Sequence, residues 1–363
     1  MLAIEENVSL LPYNTFQIPC NTRHLVRIRS QSDIHKLLAS NLFTQNIKTH
    51  LILGGGSNIL LTTSHYPGLV LKNEIPGLHP LRSDHTHTYL SVGAGVEWNS
   101  LVAYSIAHNL GGIENLSLIP GTVGGATVQN IGAYGVEFKD VVESVEGVSL
   151  ESGEVRRWSR DEGMWGYRDS RWKQDKTWFV TGVVIKLSKT GFHKLTTTYP
   201  SLHASLPDTE APLTIHTLCA TITALRTAAL PSPADLPNAG SFFKNPSITP
   251  TLLAHLKSKH PHIPHFTPRG DGESSCDGSE AVVKIPAAWL IEQCGYRGKR
   301  VGDVGLYEGH ALVLVNFGGG VGGTGEGVWR LARGIREGVW ERFGVVLQEE
   351  VVVVGGREAD VWV

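Results

Sequence analysis

Several short segments of the 363-residue sequence combine residue types that could hold a ligand or move a proton. Gly54-Gly55-Gly56-Ser57-Asn58 follows the apolar run Leu51 to Leu53. Three glycines let backbone N–H groups approach a diphosphate, and a serine hydroxyl and an asparagine amide add donors. No GxGxxG opens a long helix here and no acidic residue follows at the Rossmann spacing, so a plain Gly-rich turn is the other reading. A second run, IPGTVGGATVQNIGAYG (119–135), offers small residues and backbone amides. With the side chains of Thr122, Gln129 and Asn130 it suits a flat polar ring laid on main chain. A Gly-rich loop of this length inside a compact domain is usually functional. Arg168, in Tyr167-Arg168-Asp169-Ser170, could grip a carboxylate with both arms of its fork, or simply form a surface ion pair. Ser241, within NAGSFFKNP (238–246), has no GxSxG elbow and no evident triad partners, so its hydroxyl is better suited to giving a proton than to attacking. Glu349 and Glu350 place at least one carboxylate at the mouth of the strand Val351 to Val354, unless they only close a solvated strand end.

The elements that must position these residues follow from periodicity. Strands are expected over 24–29, 51–53, 68–71 and 89–92, and again over 141–148, 154–158 and 178–187. A helix over 32–39 would be capped by Ser32 or Asp33. A helix over 97–109 would bury Trp98, Leu101, Val102 and Ile106 and end at Gly111 and Gly112. Residues 120–135 read as a long loop. Beyond Leu213 a helix over 215–230 runs into a linker at Pro231 and Pro233. Helices over 251–259 and 287–294 and a strand over 311–316 follow. In the helix over 326–343, Val328, Leu331, Ile335 and Val339 recur at core spacing. The last strand, 350–354, reads as a buried run. Residues 270–279 are polar and Gly/Ser-rich, an exposed loop. The mixture is α+β, without regular βαβ alternation or a repeat.

A net charge of −2 and a pI near 6.8 give no basic field for nucleic acid and no hint of a membrane surface. An anionic substrate must therefore be held by a few placed groups. Cys20, Cys219, Cys276 and Cys294 form no CxxC or Cys/His metal spacing, which fits free thiols in a reducing compartment and no metal site. Glu5 and Glu6 stand where a signal peptide would want basic residues, and no apolar run approaches the ~20 residues of a membrane span. A soluble cytoplasmic protein is expected.

Taken together and in order, these segments resemble the UDP-N-acetylenolpyruvoylglucosamine reductase (MurB) family. The resemblance begins at Asn14-Thr15-Phe16 and runs through GGGSN (54–58), IPGTVGGATVQNIGAYG, YRDS (167–170) and NAGSFFKNP. It continues through AAWLIEQCG (287–295) and ALVLVN (311–316) to the glutamates before Val351. One motif alone would be weak, but the ordered set covers nearly the whole chain. The resemblance implies a three-part α+β flavoprotein of the vanillyl-alcohol-oxidase type. Residues 1–74, joined by 345–363, and 75–230 would hold FAD non-covalently, and 231–344 would bind substrate. It also implies that NADPH reduces the flavin, which then reduces UDP-N-acetylglucosamine-enolpyruvate to UDP-N-acetylmuramate for peptidoglycan.

Carried over residue by residue, the family's cofactor contacts fall on Gly54, Gly55, Gly56, Ser57, Asn58, Pro120, Gly121, Thr122, Gly124, Gln129, Asn130, Gly132 and Ala133. Arg168 matches the arginine that polarises the substrate carboxylate, with Glu350 as an acid partner, and Ser241 matches the serine that protonates the enol carbon. Tyr199 lies at the spacing of the subtype whose tyrosine loop closes over the nucleotide. Asn245 matches a UDP contact and Arg226 a phosphate ligand. A monomer is expected. The chain departs from the family at Ala229, where a lysine is common, and at Tyr307 and His310, where a histidine and then a glutamine are common. These changes bear on UDP recognition. Two other readings remain: a flavin oxidase acting on a sugar or alcohol, and a fold-sharing protein that binds without catalysis. The first gives Arg168, Ser241 and Glu350 no joint purpose, and none of the 16 histidines lies in the Gly loops for covalent flavin attachment.

Overall fold

A computed structural model describes residues 2–40, 43, 50–208, 211–266 and 282–355. Cys276 and the 270–279 loop lie outside the described residues, and Cys20, Cys219 and Cys294 are free thiols. The chain divides into two compact units. The first takes residues 1–8, 21–56 and 65–228; the second takes 9–20, 57–64 and 229–363.

The first unit contains two sheets. One has the order Ile4–Ser9, Asn21–Ile28, His65–Asn73, His50–Leu53, and its last three strands are parallel. Leu69, Val70 and Leu71 are all fully buried, the unbroken apolar run that a parallel strand covered on both faces requires. The parallel strands Asn21–Ile28 and His50–Leu53 flank the helix Gln31–Leu38 in sequence, so one helix-containing crossover exists where the sequence showed no regular alternation. That helix is capped by Ser30, whose Oγ accepts from Asp33 N at 3.2 Å, not by Ser32 or Asp33. Ser30 is the last extended residue, while the Asp33 carboxylate turns back to accept from Arg29 N at 3.1 Å.

The second sheet is antiparallel, in the order Val155–Ser159, Val142–Ser149, Trp178–Ser188, His87–Gly93, Leu78–Ser83. Against it packs the helix Trp98–Ala107, which buries Trp98, Leu101 and Val102 as the spacing requires, with Ile106 at the cluster's margin. The helix does not end on Gly111 and Gly112. Asn109 takes the left-handed conformation (φ 53°), and Gly111 instead exchanges two backbone hydrogen bonds with Ser188. A Cβ at Gly111 would stand 2.6 Å from His193 Nδ1, which is why a glycine sits there.

Residues 120–135 are more ordered than a loop. They contain the helix Val123–Gln129, capped by Thr122 Oγ1 accepting from Gly125 N, and the short pair Gly132–Ala133 with Val136–Glu137. Gly124 and Gly125 lower helix propensity by roughly 1 kcal/mol each. Burial of Val123, Ala126 and Thr127 overrides that local preference.

The second unit carries an antiparallel sheet in the order Asn238–Ser241, Val313–Asn316, Val304–Leu306, Arg300–Val301. The helix Gly325–Phe343 buries Val328, Leu331, Ile335 and Val339, with Thr324 as its cap and Gly344 (φ 64°) as its stop. The C-terminal strand Val352–Val354 pairs in parallel with Ile59–Leu61 alone. A two-stranded ribbon encloses neither face, so these valines are half-buried and the expectation of a buried run does not hold. Among the described residues no helix is long and apolar enough to cross a membrane. No group of three or more His, Cys, Asp or Glu among them is placed to hold a metal.

Candidate functional site

In the first unit the two Gly segments meet backbone to backbone. A Cβ at Gly55 would lie 2.7 Å from Gly121 Cα, and one at Gly54 would lie 2.6 Å from Thr122 Oγ1. Glycine is therefore obligatory where Gly54 and Gly55 face the second segment, and the joint exposes main chain rather than side chain. That is the surface a diphosphate requires, and it fits FAD. Gly55→Ala must push the segments apart, an overpacking of about 1–3 kcal/mol. The purified variant is expected to carry well under half the wild-type flavin per chain, read as the ratio of flavin to protein absorbance.

Arg168 is held in the left-handed region (φ 57°) at a tight turn. The turn is closed by Gly166 N to Asp169 O at 3.1 Å and Asp169 N to Gly166 O at 3.2 Å. Five further hydrogen bonds hold it and tie it to the end of the helix Val123–Gln129 and the strand beyond. Asn130 Nδ2 donates to Gly166 O (2.8 Å) and Ser170 Oγ to Val128 O (2.8 Å). Lys173 Nζ donates to both Gln129 Oε1 (2.7 Å) and Arg168 O (2.8 Å), and Arg168 Nη2 donates to Gly132 O (2.6 Å). A Cβ at Gly132 would come within 2.8 Å of Arg168 Nη1, so this glycine makes room for the guanidinium.

The side chains of Gln129 and Asn130 thus turn toward the protein. Asn130 is fully buried, its amide also donating to Glu137 Oε2 (3.1 Å) while its oxygen accepts from Lys139 N (3.1 Å). With both amide hydrogens and the oxygen engaged, Asn130 can offer a flavin its main chain but not the side chain the sequence reading assigned.

Arg226, on the helix Ile215–Ala229, lies in the same neighbourhood. Burial pushes its pKa down, Tyr134 opposes that shift and the nearby Arg168 adds to it. Its Nη2 reaches Leu118 O at 3.5 Å, and its Nε is buried with no hydrogen-bond partner among the described residues. Two guanidinium groups kept close at that cost favour an anion beside them. Tyr199, at the cap of Pro200–Ser205, is half exposed and sets its ring edge-on to Tyr134, centroids 5.3 Å apart.

In the second unit the backbone of Glu350 pairs with Phe242, the residue after Ser241. Ser241 ends the strand Asn238–Ser241 next to Gly240 (φ 70°), whose N–H is fixed by Asn238 Oδ1 at 2.8 Å. The C-terminal segment pairs with the residues just after it: Glu350 N donates to Phe242 O and Lys244 N to Gln348 O, both at 2.8 Å. Asn58 Nδ2 donates to Glu350 O at 3.1 Å, so part of this amide's capacity anchors Glu350. Of the two glutamates, Glu349 is paired with Arg336 at 2.8 Å. Asn245 Oδ1 accepts from Ala287 N (2.9 Å). His310 Nδ1 accepts from Leu312 N (3.2 Å), placing the proton of a neutral ring on Nε2. Burial pushes the His310 pKa down against the pull of Glu292.

Sequence reading missed Lys72 and Lys173. A charge in the otherwise apolar strand Leu69 to Lys72 was a signal, because a buried ammonium needs a partner. Lys173 carried no such mark.

The α+β fold and the close joint of the two Gly segments are those of a chain with an FAD-binding domain. Residues 22–159 match the FAD binding domain, and 232–354 match the UDP-N-acetylenolpyruvoylglucosamine reductase C-terminal domain. The UDP-N-acetylenolpyruvoylglucosamine reductase of Amoebophilus asiaticus is 39% identical over 97% of this chain and 99% of its own length. That of Chromobacterium violaceum is 41% identical over the same shares. The chain belongs to the UDP-N-acetylenolpyruvoylglucosamine reductase (MurB) family. The crystal structure of the enzyme from Thermus caldophilus superposes with a TM-score of 0.65 at 23% identity, covering 97% of this chain and 99% of that one, a likeness of fold.

Proposed function

We propose that this chain reduces the enolpyruvyl group of UDP-N-acetylglucosamine-enolpyruvate with NADPH, giving UDP-N-acetylmuramate, and that Arg168, Ser241 and Glu350 carry the reaction. It is an FAD-dependent oxidoreductase of peptidoglycan precursor synthesis, consistent with full-length relatives near 40% identity. FAD, when bound, would supply the two-electron hydride chemistry that links NADPH to the enolpyruvyl group. The Gly54–Gly56 and Pro120–Ala133 segments would hold it, with Ser57 and Asn58 alongside.

An enol ether is electron-rich and resists hydride, so the neighbouring carboxylate must take up the charge that develops. Arg168 binds that carboxylate and stabilises charge that appears only in the transition state. Glu350 acts as its acid partner. Ser241 then delivers a proton to the carbon bearing the ether oxygen, completing addition of hydride and proton across the double bond. The observation that supports this reading is the pairing of Glu350 N with Phe242 O, on the residue that follows Ser241. Tyr199, exposed at a helix cap, closes over the nucleotide. Arg226 meets phosphate, and Asn245 the uridine portion. No cationic side chain stands at Ala229, so phosphate recognition falls to Arg226. The reading places the protein in the cytoplasm as a monomer.

The test is anaerobic. NADPH should bleach the flavin spectrum, and UDP-N-acetylglucosamine-enolpyruvate should restore it within the mixing time of a manual experiment. Bleaching that only oxygen reverses would overturn the reading in favour of an oxidase.

A further inference from the structure

Lys72 lies in the strand His65–Asn73 directly opposite Leu53, the last residue before the first Gly segment. Its side chain reaches past the strand end, and Nζ donates to Gly54 O at 2.6 Å. A trans peptide is planar, with its N–H opposed to its C=O. Fixing the Gly54 carbonyl toward Lys72 therefore turns the Gly55 N–H the other way. The Cβ positions of Gly54 and Gly55 face Thr122 and Gly121, so close packing against the second Gly segment also restrains this stretch. Glycine has little preference of its own to supply that order.

Holding an ammonium here has a cost: burial pushes the Lys72 pKa down, and Glu74 and Glu97 oppose the shift. Glu74 is itself bound by Arg27 (2.7 Å) and Arg29 (3.1 Å), so Lys72 is not consumed in a simple ion pair. A neutral residue would fill the strand position more cheaply. Instead the lysine spends its ammonium on a loop carbonyl.

We propose that Lys72 is a cofactor-positioning residue, which locks the Gly54–Gly55 peptide so that its N–H is presented to the diphosphate of FAD. The inference rests on the assignment of FAD to the Gly segments. The test uses purified holoprotein, diluted serially, with release of FAD read from the rise in flavin fluorescence. Lys72→Met should raise the FAD Kd about 10–100-fold, the effect of losing a hydrogen bond from a charged donor. Lys72→Arg, which keeps a donor and a charge, should stay within about threefold of wild type. Thermal melting of the three proteins stripped of flavin should coincide to within about 2 °C; the flavin-free state is used because in excess FAD a weaker Kd would by itself lower the melting point. A Lys72→Met Kd within threefold of wild type overturns the proposal. So does a Lys72→Arg protein as weak as Lys72→Met, or a melting point that falls in step with affinity, since either would mean that Lys72 only supports the fold. Wild-type protein that carries no flavin and takes up none would instead refute the FAD assignment, an outcome recognisable before any variant is compared.

Discussion

Ser241→Ala will leave the bleaching of the flavin by NADPH at its wild-type rate while slowing the return of colour on adding UDP-N-acetylglucosamine-enolpyruvate by about 10²–10⁴-fold, the range for loss of a positioned general acid. The split follows from where the proton is needed. Hydride transfer from NADPH requires no proton from Ser241, whereas the second half-reaction ends with a carbanion-like carbon that must be protonated. The substitution should not disturb its surroundings. Ser241 is held by backbone pairing to Val313, and Gly240 and Asn238 fix the preceding turn through bonds that do not involve the serine hydroxyl. Stopped-flow absorbance under argon separates the two phases. Reoxidation within tenfold of wild type would assign the proton to another donor.

The family was legible because the order of distinctive motifs carried it over nearly the whole chain. The core was legible for a different reason. Val328, Leu331, Ile335 and Val339 repeat at a spacing that only a helix buries together, and the structure buries all four. Periodicity failed where tertiary packing outweighed local preference. Two adjacent glycines made 123–129 read as loop, yet the cap at Thr122 and the burial of Val123 and Ala126 hold it helical. The choice between Glu349 and Glu350 was also closed to sequence. Composition did not show that Arg336, on the last long helix, pairs with Glu349. The polar side chains of Gln129 and Asn130 suggested ligand contacts, but they hold the Arg168 turn. A sequence shows which groups can donate hydrogen bonds, and not which backbone passes close enough to accept.

That turn makes a prediction in which stability and activity separate. Arg168 occupies a left-handed conformation that costs a residue with a Cβ about 1–2 kcal/mol and costs glycine little. A non-glycine residue persists there when its surroundings over-determine the turn, and clamps from Asn130, Ser170 and Lys173 do so. Arg168→Ala and Arg168→Gly both remove the guanidinium and its bond to Gly132 O. Both should lower the rate of flavin reoxidation by substrate about 10²–10³-fold, the loss expected when one donor to a developing anion is removed. They should differ in stability, with the glycine variant about 1 kcal/mol above the alanine variant in denaturant titration because only alanine retains the left-handed penalty. Arg168→Lys keeps charge but not the fork, so its rate should fall between those of wild type and alanine. A glycine variant no more stable than alanine would mean the turn relaxes once the side chain is gone. Retention of wild-type reoxidation in the alanine variant would remove Arg168 from the chemistry altogether. If instead both losses appear as predicted, the protein holds a strained backbone at the one residue whose guanidinium must meet the substrate carboxylate, and the most stabilising substitution at that position is also among the least active.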